Sequence, residues 1–231
     1  LAPTVENFGS IATPQGQTIL AAGGKVYLAS PVSGSKLRGF LVEVDPWVGT
    51  DAGGNAVTLA GSVTSRQSGV ADLAADAAEI NDRLRANGAI GTTDLSAEQL
   101  HERVGRIVAE RGNITLAALA VNQSGLLKAT TSVDMNGSIY LQARDRVILG
   151  IKETASDGTE VYNPLASRMG TLNFAAGSLT EVSPDTGSTR TLRDDQTFNK
   201  SEVRGSGKTI TVADNAAIVV RAGEVSLIAQ D

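Results

Sequence analysis

Gly205-Ser206-Gly207-Lys208-Thr209 invites a phosphate-loop reading. Such a loop needs a glycine five residues before its Gly-Lys pair, so that successive amides converge on the anion. That position is Glu202, a carboxylate where the anion would sit, and a strand-like alternation, Thr209-Ile210-Thr211-Val212, follows instead of a helix. The segment therefore predicts a turn and a strand. His101 is the only histidine and lies beside Glu102. A catalytic triad needs a nucleophile and an acid around such a histidine, and zinc needs further ligands. No nucleophile-elbow sequence occurs, so His101 predicts a surface position. Carboxylates are the more serious candidates: Asp134, Asp145, Asp157, Glu160, Asp185, Asp194 and Asp195. Glycoside hydrolysis needs two of them facing each other a few ångströms apart. They fall mainly in predicted turns and loops, with no aromatic platform for a sugar.

The remaining candidates predict turns and contacts. Asp134-Met135-Asn136-Gly137 and Asp214-Asn215 carry oxygen ligands for calcium, but the first lacks the later ligands of a calcium loop. Both predict β-turns with Asn or Asp in the left-handed region. Asn113, Asn122, Asn136 and Asn199 each open an Asn-x-Ser/Thr sequon, and turn chemistry accounts for them as well. Trp47, after Asp45-Pro46, is the only tryptophan. An exposed Trp is a contact candidate. The candidate contact surface is Trp47, Asp45, His101, Glu102 and Arg193, with no catalytic residue, metal or cofactor expected.

The elements that position these residues follow from composition and periodicity. The chain has 231 residues, enough for one large domain. Aromatics make up only 3%, so the core must be aliphatic. The 25 glycines, set among β-branched residues, predict many short strands and turns. The net charge of −5 and the lack of a basic block disfavour nucleic acid. Without cysteine there is no disulfide framework. The apolar runs are too short for a membrane helix. The start at Leu1, without Met or a signal pattern, reads as a piece cut from inside a longer protein.

A repeat runs through the chain: a glycine, a small polar residue, then about five alternating residues. Examples are Thr18–Ala22, Lys25–Ala29, Leu41–Val44, Ala56–Leu59, Ile114–Ala117, Ile139–Ala143, Leu172–Ala175, Thr209–Val212 and Val225–Ala229. Period-two strands recurring at solenoid spacing predict stacked coils about 4.8 Å apart, with right-handed connections. The expectation is an all-β chain, a right-handed parallel β-helix of roughly nine coils. Its inward ladder would include Ile114, Leu116, Ile139, Leu141, Ile210, Val212, Val225 and Leu227. Ser30–Leu37 and Asp45–Gly53 read as short loops, and Pro184–Arg204 as a polar excursion near 184–204.

One segment has the helical period instead. Leu73, Ala77, Ile80 and Leu84 share one helix face, and Asn87-Gly88 stops it. A second helix starts at Ser96 with Gln99 three residues on, a capping box. Leu100, Val104 and Ile107, with Val108, form its face, and Gly112 ends it. The expectation is an inserted α-helical hairpin, giving β-helix coils over 1–69, the hairpin over 70–111 and coils again over 112–231.

Several phrases carry a resemblance: Thr13-Pro14-Gln15-Gly16-Gln17-Thr18-Ile19-Leu20-Ala21-Ala22-Gly23, Leu41-Val42-Glu43-Val44, Ala118-Leu119-Ala120-Val121-Asn122-Gln123-Ser124-Gly125, Asn136-Gly137-Ser138-Ile139-Tyr140-Leu141-Gln142-Ala143-Arg144 and Gly207-Lys208-Thr209-Ile210-Thr211-Val212. In number and order they resemble the filamentous haemagglutinin family, the large exoproteins of bacterial two-partner secretion. The resemblance covers most of the chain and is weakest over 72–110. It implies a secreted, surface-located β-helix shaft without catalytic residues. It also implies export through an outer-membrane partner transporter, and adhesion to a host or bacterial cell-surface receptor or glycan. The Asn-rich motifs of the family's secretion domain are not among these phrases, so the resemblance points to shaft.

The leading expectation is therefore a non-enzymatic adhesin shaft, with end-to-end self-association through its ends. The alternatives are a local binding module that uses the helical hairpin and loops, and a polysaccharide-active β-helix enzyme.

Overall fold

The computed structural model describes the chain apart from residues 1, 32–36, 67–73, 75–76, 79–80, 83–84, 86–90, 102–104, 155–159, 190, 192–199, 222 and 231, and apart from the side chains of 101, 149–154 and 160–163. The chain is mostly β, and three parallel sheets dominate it. It visits them in the same cyclic order five times. The first circuit is β1 (Thr4–Asn7), β2 (Ser10–Ala12) and β3 (Gln17–Ala21). The second is β8 (Ser62–Arg66), β9 (Arg106–Ala109) and β10 (Asn113–Ala118), and the third β11 (Ala120–Ser124), β12 (Leu126–Thr131) and β13 (Ser138–Thr154). The fourth is β15 (Thr171–Phe174), β16 (Leu179–Pro184) and β17 (Glu202–Gly207), and the fifth β18 (Thr209–Val212), β19 (Ala217–Val220) and β20 (Glu224–Ala229). Within each sheet the strands follow circuit order and pair in parallel.

Register aligns like with like. In the third sheet Leu20, Leu116 and Leu141 are successive partners, as are Ile114 and Ile139. In the first sheet Val5, Val63, Val121, Leu172 and Ile210 form one column. In the second, Ile11, Ile107 and Leu127 are aligned. These residues converge on one aliphatic core that also holds Phe174, Val182 and Val203. Each strand is too short to bury much alone; stacking joins the columns into a continuous interior. Glycines make the corners close enough to stack. A Cβ on Gly112 would meet the Gly16 carbonyl, and one on Gly137 would meet the Thr130 carbonyl.

Of the predicted ladder, Ile114, Leu116, Ile139 and Leu141 are fully buried and Ile210 packs on the core. Val212, Val225 and Leu227 point the same way but are exposed, because the fifth circuit has no strand stacked beyond it among the described residues.

The expectation of roughly nine coils is corrected to five circuits, since several alternating segments leave the stack. β4 (Lys25–Ala29) pairs antiparallel with β5 (Leu41–Asp45), and β6 (Trp47–Thr50) with β7 (Ala56–Leu59). Asp45–Gly53, expected as a loop, is thus the end of β5, strand β6 and the start of a turn. In that turn the Asp51 carboxylate accepts the amides of Gly53 and Asn55, both at 2.9 Å. Beyond Ala143, β13 runs out of its sheet and pairs antiparallel with β14 (Glu160–Met169).

The inserted helical segment is shorter than its periodicity predicts. Described residues of the first predicted helix, including Ala77, Asn81 and Arg85, are helical. The capping box at Ser96 forms: the Ser96 amide donates to Gln99 Oε1 at 2.9 Å, and the Gln99 amide to Ser96 Oγ at 3.3 Å. Among the described residues this helix is Ala97–His101, and Leu100 is buried against Ala77, Leu95 and Ala97. Ile107 and Val108, assigned to its face, lie instead on β9, with Ile107 in the aliphatic core. Gly105, at a φ of 62°, starts the new direction, and pairing with β2 and β12 outweighs helical spacing for two β-branched residues. The polar excursion also ends earlier than expected: residues 202–204 already belong to β17.

Candidate functional site

The outer face of the third sheet is where the excursions gather. The hairpin β4–β5 lies over it, with Val26, Val42 and Val44 packed on Ile19, Ala21 and Ala117. β10 is consequently buried along both faces, with Thr115 and Ala117 as covered as Ile114, Leu116 and Ala118.

Three carboxylates fasten this root. Glu43, 1% exposed on β5, takes two hydrogen bonds from the Arg144 guanidinium on β13, one of them from Nε to Oε2 at 3.1 Å. Burial pushes the Glu43 carboxyl up to about 7, against the opposing charge and hydrogen bonds of Arg144. Asp45 accepts the Val147 amide at 2.7 Å through Oδ1 and the Tyr27 hydroxyl at 2.6 Å through Oδ2. That hydrogen bond, with desolvation and the Asp45 charge behind it, raises the Tyr27 phenol. Asp145, also buried, receives Arg168 Nε at 2.6 Å and Nη2 at 2.5 Å across the β13–β14 pair.

Beside this root a cleft of about 410 Å³ is lined by Gly24, Lys25, Asp45, Pro46, Trp47, Val48 and Arg146. Trp47 is half-buried, and its indole lies close to Gly49 on its own strand. Lys25 and Arg146 are exposed. Arg146 adopts a φ of 61°, with its carbonyl accepting the Ser167 hydroxyl at 2.8 Å. The lining offers an aromatic ring, two cations and a carboxylate already engaged by two donors. These groups can stack on and pair with a ligand at the surface.

The structure brings Trp47 and Asp45 together in this cleft. His101 lies on the helix Ala97–His101 of a different excursion, and its side chain lies outside the described residues, as do Glu102 and Arg193. Among the carboxylates weighed for catalysis, Asp145 is held by Arg168, Asp134 accepts Ser132 Oγ at 2.8 Å, and Asp185 pairs with Arg111 at 3.3 Å. Asp157, Asp194 and Asp195, and the Glu160 side chain, lie outside the described residues. Lys208 and Thr209 span the junction of two strands, β17 and β18, with no helix following. Asn215 has a φ of 59°, the left-handed turn its sequence predicts. Asn113 and Asn136 are buried, and Asn113 Oδ1 accepts the Ser138 amide at 2.9 Å, which makes it a corner ladder between circuits. Among the described residues no group of three or more His, Cys, Asp or Glu is placed to hold a metal ion. Among the described residues no helix is long and apolar enough to cross a membrane.

Sequence reasoning missed Lys25, Glu43, Arg144 and Arg146. The available signal was Leu41-Val42-Glu43-Val44, where a carboxylate interrupts a valine run and requires a buried cation.

A second groove, of about 500 Å³, crosses the outside of the second sheet. There Arg106, Lys128 and Arg221 alternate with Glu110, Glu181 and Asp185, and Lys128 pairs with Glu181 at 3.8 Å.

Compared with protein-family models, curated proteins and solved structures, the chain matches none.

Proposed function

We propose that the chain is a right-handed parallel β-helix that serves as a shaft segment of a secreted bacterial surface adhesin, with its hairpin-covered flank as the contact surface. The observation that carries this reading is the five-fold cyclic visit to three parallel sheets in constant register. Parallel strands joined by crossovers wind right-handed almost without exception. Such a stack is rigid because every circuit is hydrogen-bonded to its neighbours along three faces.

The family resemblance supports the adhesin part of the reading. Two of its phrases, around Gln17–Ala21 and Ser138–Ala143, lie in the third sheet on strands that flank and pair with β10. Placement of the contact surface follows from where the chain departs from repetition. Binding groups are usually carried on excursions held by a rigid scaffold. The best-defined excursion carries Trp47 between Lys25 and Arg146. On this reading the chain performs no catalysis and is exported through an outer-membrane partner transporter.

The test is binding of the purified, folded chain to glycans, matrix proteins and live cells, alongside Trp47→Ala. Saturable binding to one class that falls at least about tenfold in Trp47→Ala, a loss of about 1.4 kcal/mol, supports the flank as the contact surface. Binding unchanged in that variant moves recognition off the cleft. No binding from a folded chain overturns the adhesive role and leaves only a scaffold.

A further inference from the structure

The outer face of the second sheet is its own complement. On β9, β12, β16 and β19 the residues that alternate with the core face outward, and register sets them in rows across the stack. One row runs Arg106, Leu126, Leu179 and Ala217, and the next Val108, Lys128, Glu181 and Val219. A third starts at Glu110, one residue past β9, continues through Thr130 and Ser183, and ends at Arg221, one residue past β19. Hydrogen bonds hold both ends of that row: the Arg111 amide donates to Thr130 Oγ1 at 2.9 Å, and the Arg221 amide to the Val182 carbonyl at 3.0 Å. The third sheet is covered by the β4–β5 hairpin, whereas here the outward residues of β12 and β16 are partly exposed and line the groove that crosses the face.

Each row matches itself when reversed. Reversal sets Lys128 on Glu181 and Val108 on Val219 in the middle row, and Leu126 on Leu179 in the first. In the third row it sets Glu110 on Arg221 and Thr130 on Ser183. Arg106 falls on Ala217, whose small side chain leaves it room. A two-fold axis lying in the face, along the strands and midway between β12 and β16, performs this reversal for two facing copies. Lys128 and Glu181 are already 3.8 Å apart within one copy, so two copies close a ring of four alternating charges on that axis. We infer that two copies of the chain pack side by side through this face, with their stacks antiparallel. The axis falls between the third and fourth circuits, so the match does not involve either end of the stack. The same patch is used on both copies, so the contact closes at a dimer. Four strands about 4.8 Å apart, each presenting about five residues, offer roughly 300 Å² per copy. Stable complexes bury about 800 Å² per partner, so this dimer is weak and fills only at high concentration. It rests on the sheet face and not on adhesion.

Sedimentation of the full chain over a concentration series reaching about 1 mM tests this. Lys128→Glu and Glu181→Lys serve as charge reversals, and far-UV circular dichroism checks that each remains folded. The unaltered chain should rise toward twice the monomer mass and stop there. Each variant alone sets like charges across the axis and should stay a monomer. An equimolar mixture of the two restores both opposite-charge contacts and should form the dimer again. If either variant does not fold, Glu110→Lys and Arg221→Glu, which lie past the strand ends, make the same test. A monomer at every concentration overturns the inference. So does growth past the dimer, or a single variant that dimerises as strongly as the unaltered chain, since either places the contact elsewhere. A mixture of folded variants that associates no better than each alone also overturns it, because the match across the axis is then not what joins the copies.

Discussion

Replacing Arg144 by Met leaves Glu43 buried without its guanidinium, and the consequence depends on pH in a direction the structure dictates. Glu43 is 1% exposed, and its folded value of about 7 lies above the ordinary 4.5. Between those values the folded state binds the proton more readily than the unfolded chain. The contribution of Glu43 to stability is therefore greatest below the ordinary value and is lost as pH rises through about 7. At about 1.4 kcal/mol per pH unit, keeping this carboxylate ionised and buried costs about 3 kcal/mol even with Arg144 present.

Without Arg144, which lowers the Glu43 value, the group stays protonated to higher pH. Near pH 5 the substitution should then cost only a hydrogen bond and some packing, about 1 kcal/mol. Near pH 8.5 it should cost about 3 kcal/mol, because the unaltered protein gains about 2 kcal/mol by ionising Glu43 above its value of about 7 and the variant, still protonated, does not. Urea unfolding of both proteins at the two pH values measures the difference, and Glu43→Gln should remove most of the pH dependence. A penalty that is equal at both pH values, or larger at the acid one, would refute the reasoning.

Other substitutions separate the parts of the fold. Leu116→Ala, in the middle of a fully buried column, should cost about 2–5 kcal/mol in chemical denaturation, while Val212→Ala at the open end should cost less than about 1 kcal/mol. Gly112→Ala should destabilise by about 1–3 kcal/mol, because the added methyl meets the Gly16 carbonyl of the neighbouring circuit. Ser96→Ala should loosen the short helix by about 1 kcal/mol, read as faster amide exchange at Gln99 with β10 unchanged.

Much of the stack is legible in the sequence, because period two, glycine corners and aliphatic columns are properties of single strands. Ile114, Leu116, Ile139 and Leu141 fall inside as their alternation predicts. What alternation lacks is the identity of a strand's partner. Lys25–Ala29 and Leu41–Asp45 alternate like coil strands, yet they pair with each other and lie across the third sheet. Dividing the chain into coils of about 20 residues takes such segments for coils, and so gives roughly nine where the described residues form five. Ile107 and Val108 satisfy both a helical and a strand period, and only the strands on either side decide between them. The cleft was half legible: Trp47 and Asp45 stand out by rarity and by the following proline. Lys25 and Arg146 reach it through long-range pairing that local sequence does not encode.

The winding of the chain is the claim on which the others rest, and a crystal structure of the purified protein tests it most directly. The account predicts five right-handed circuits, with Leu20, Leu116 and Leu141 aligned about 4.8 Å apart along one parallel sheet. Left-handed winding, or antiparallel pairing of β3, β10 and β13, would contradict it.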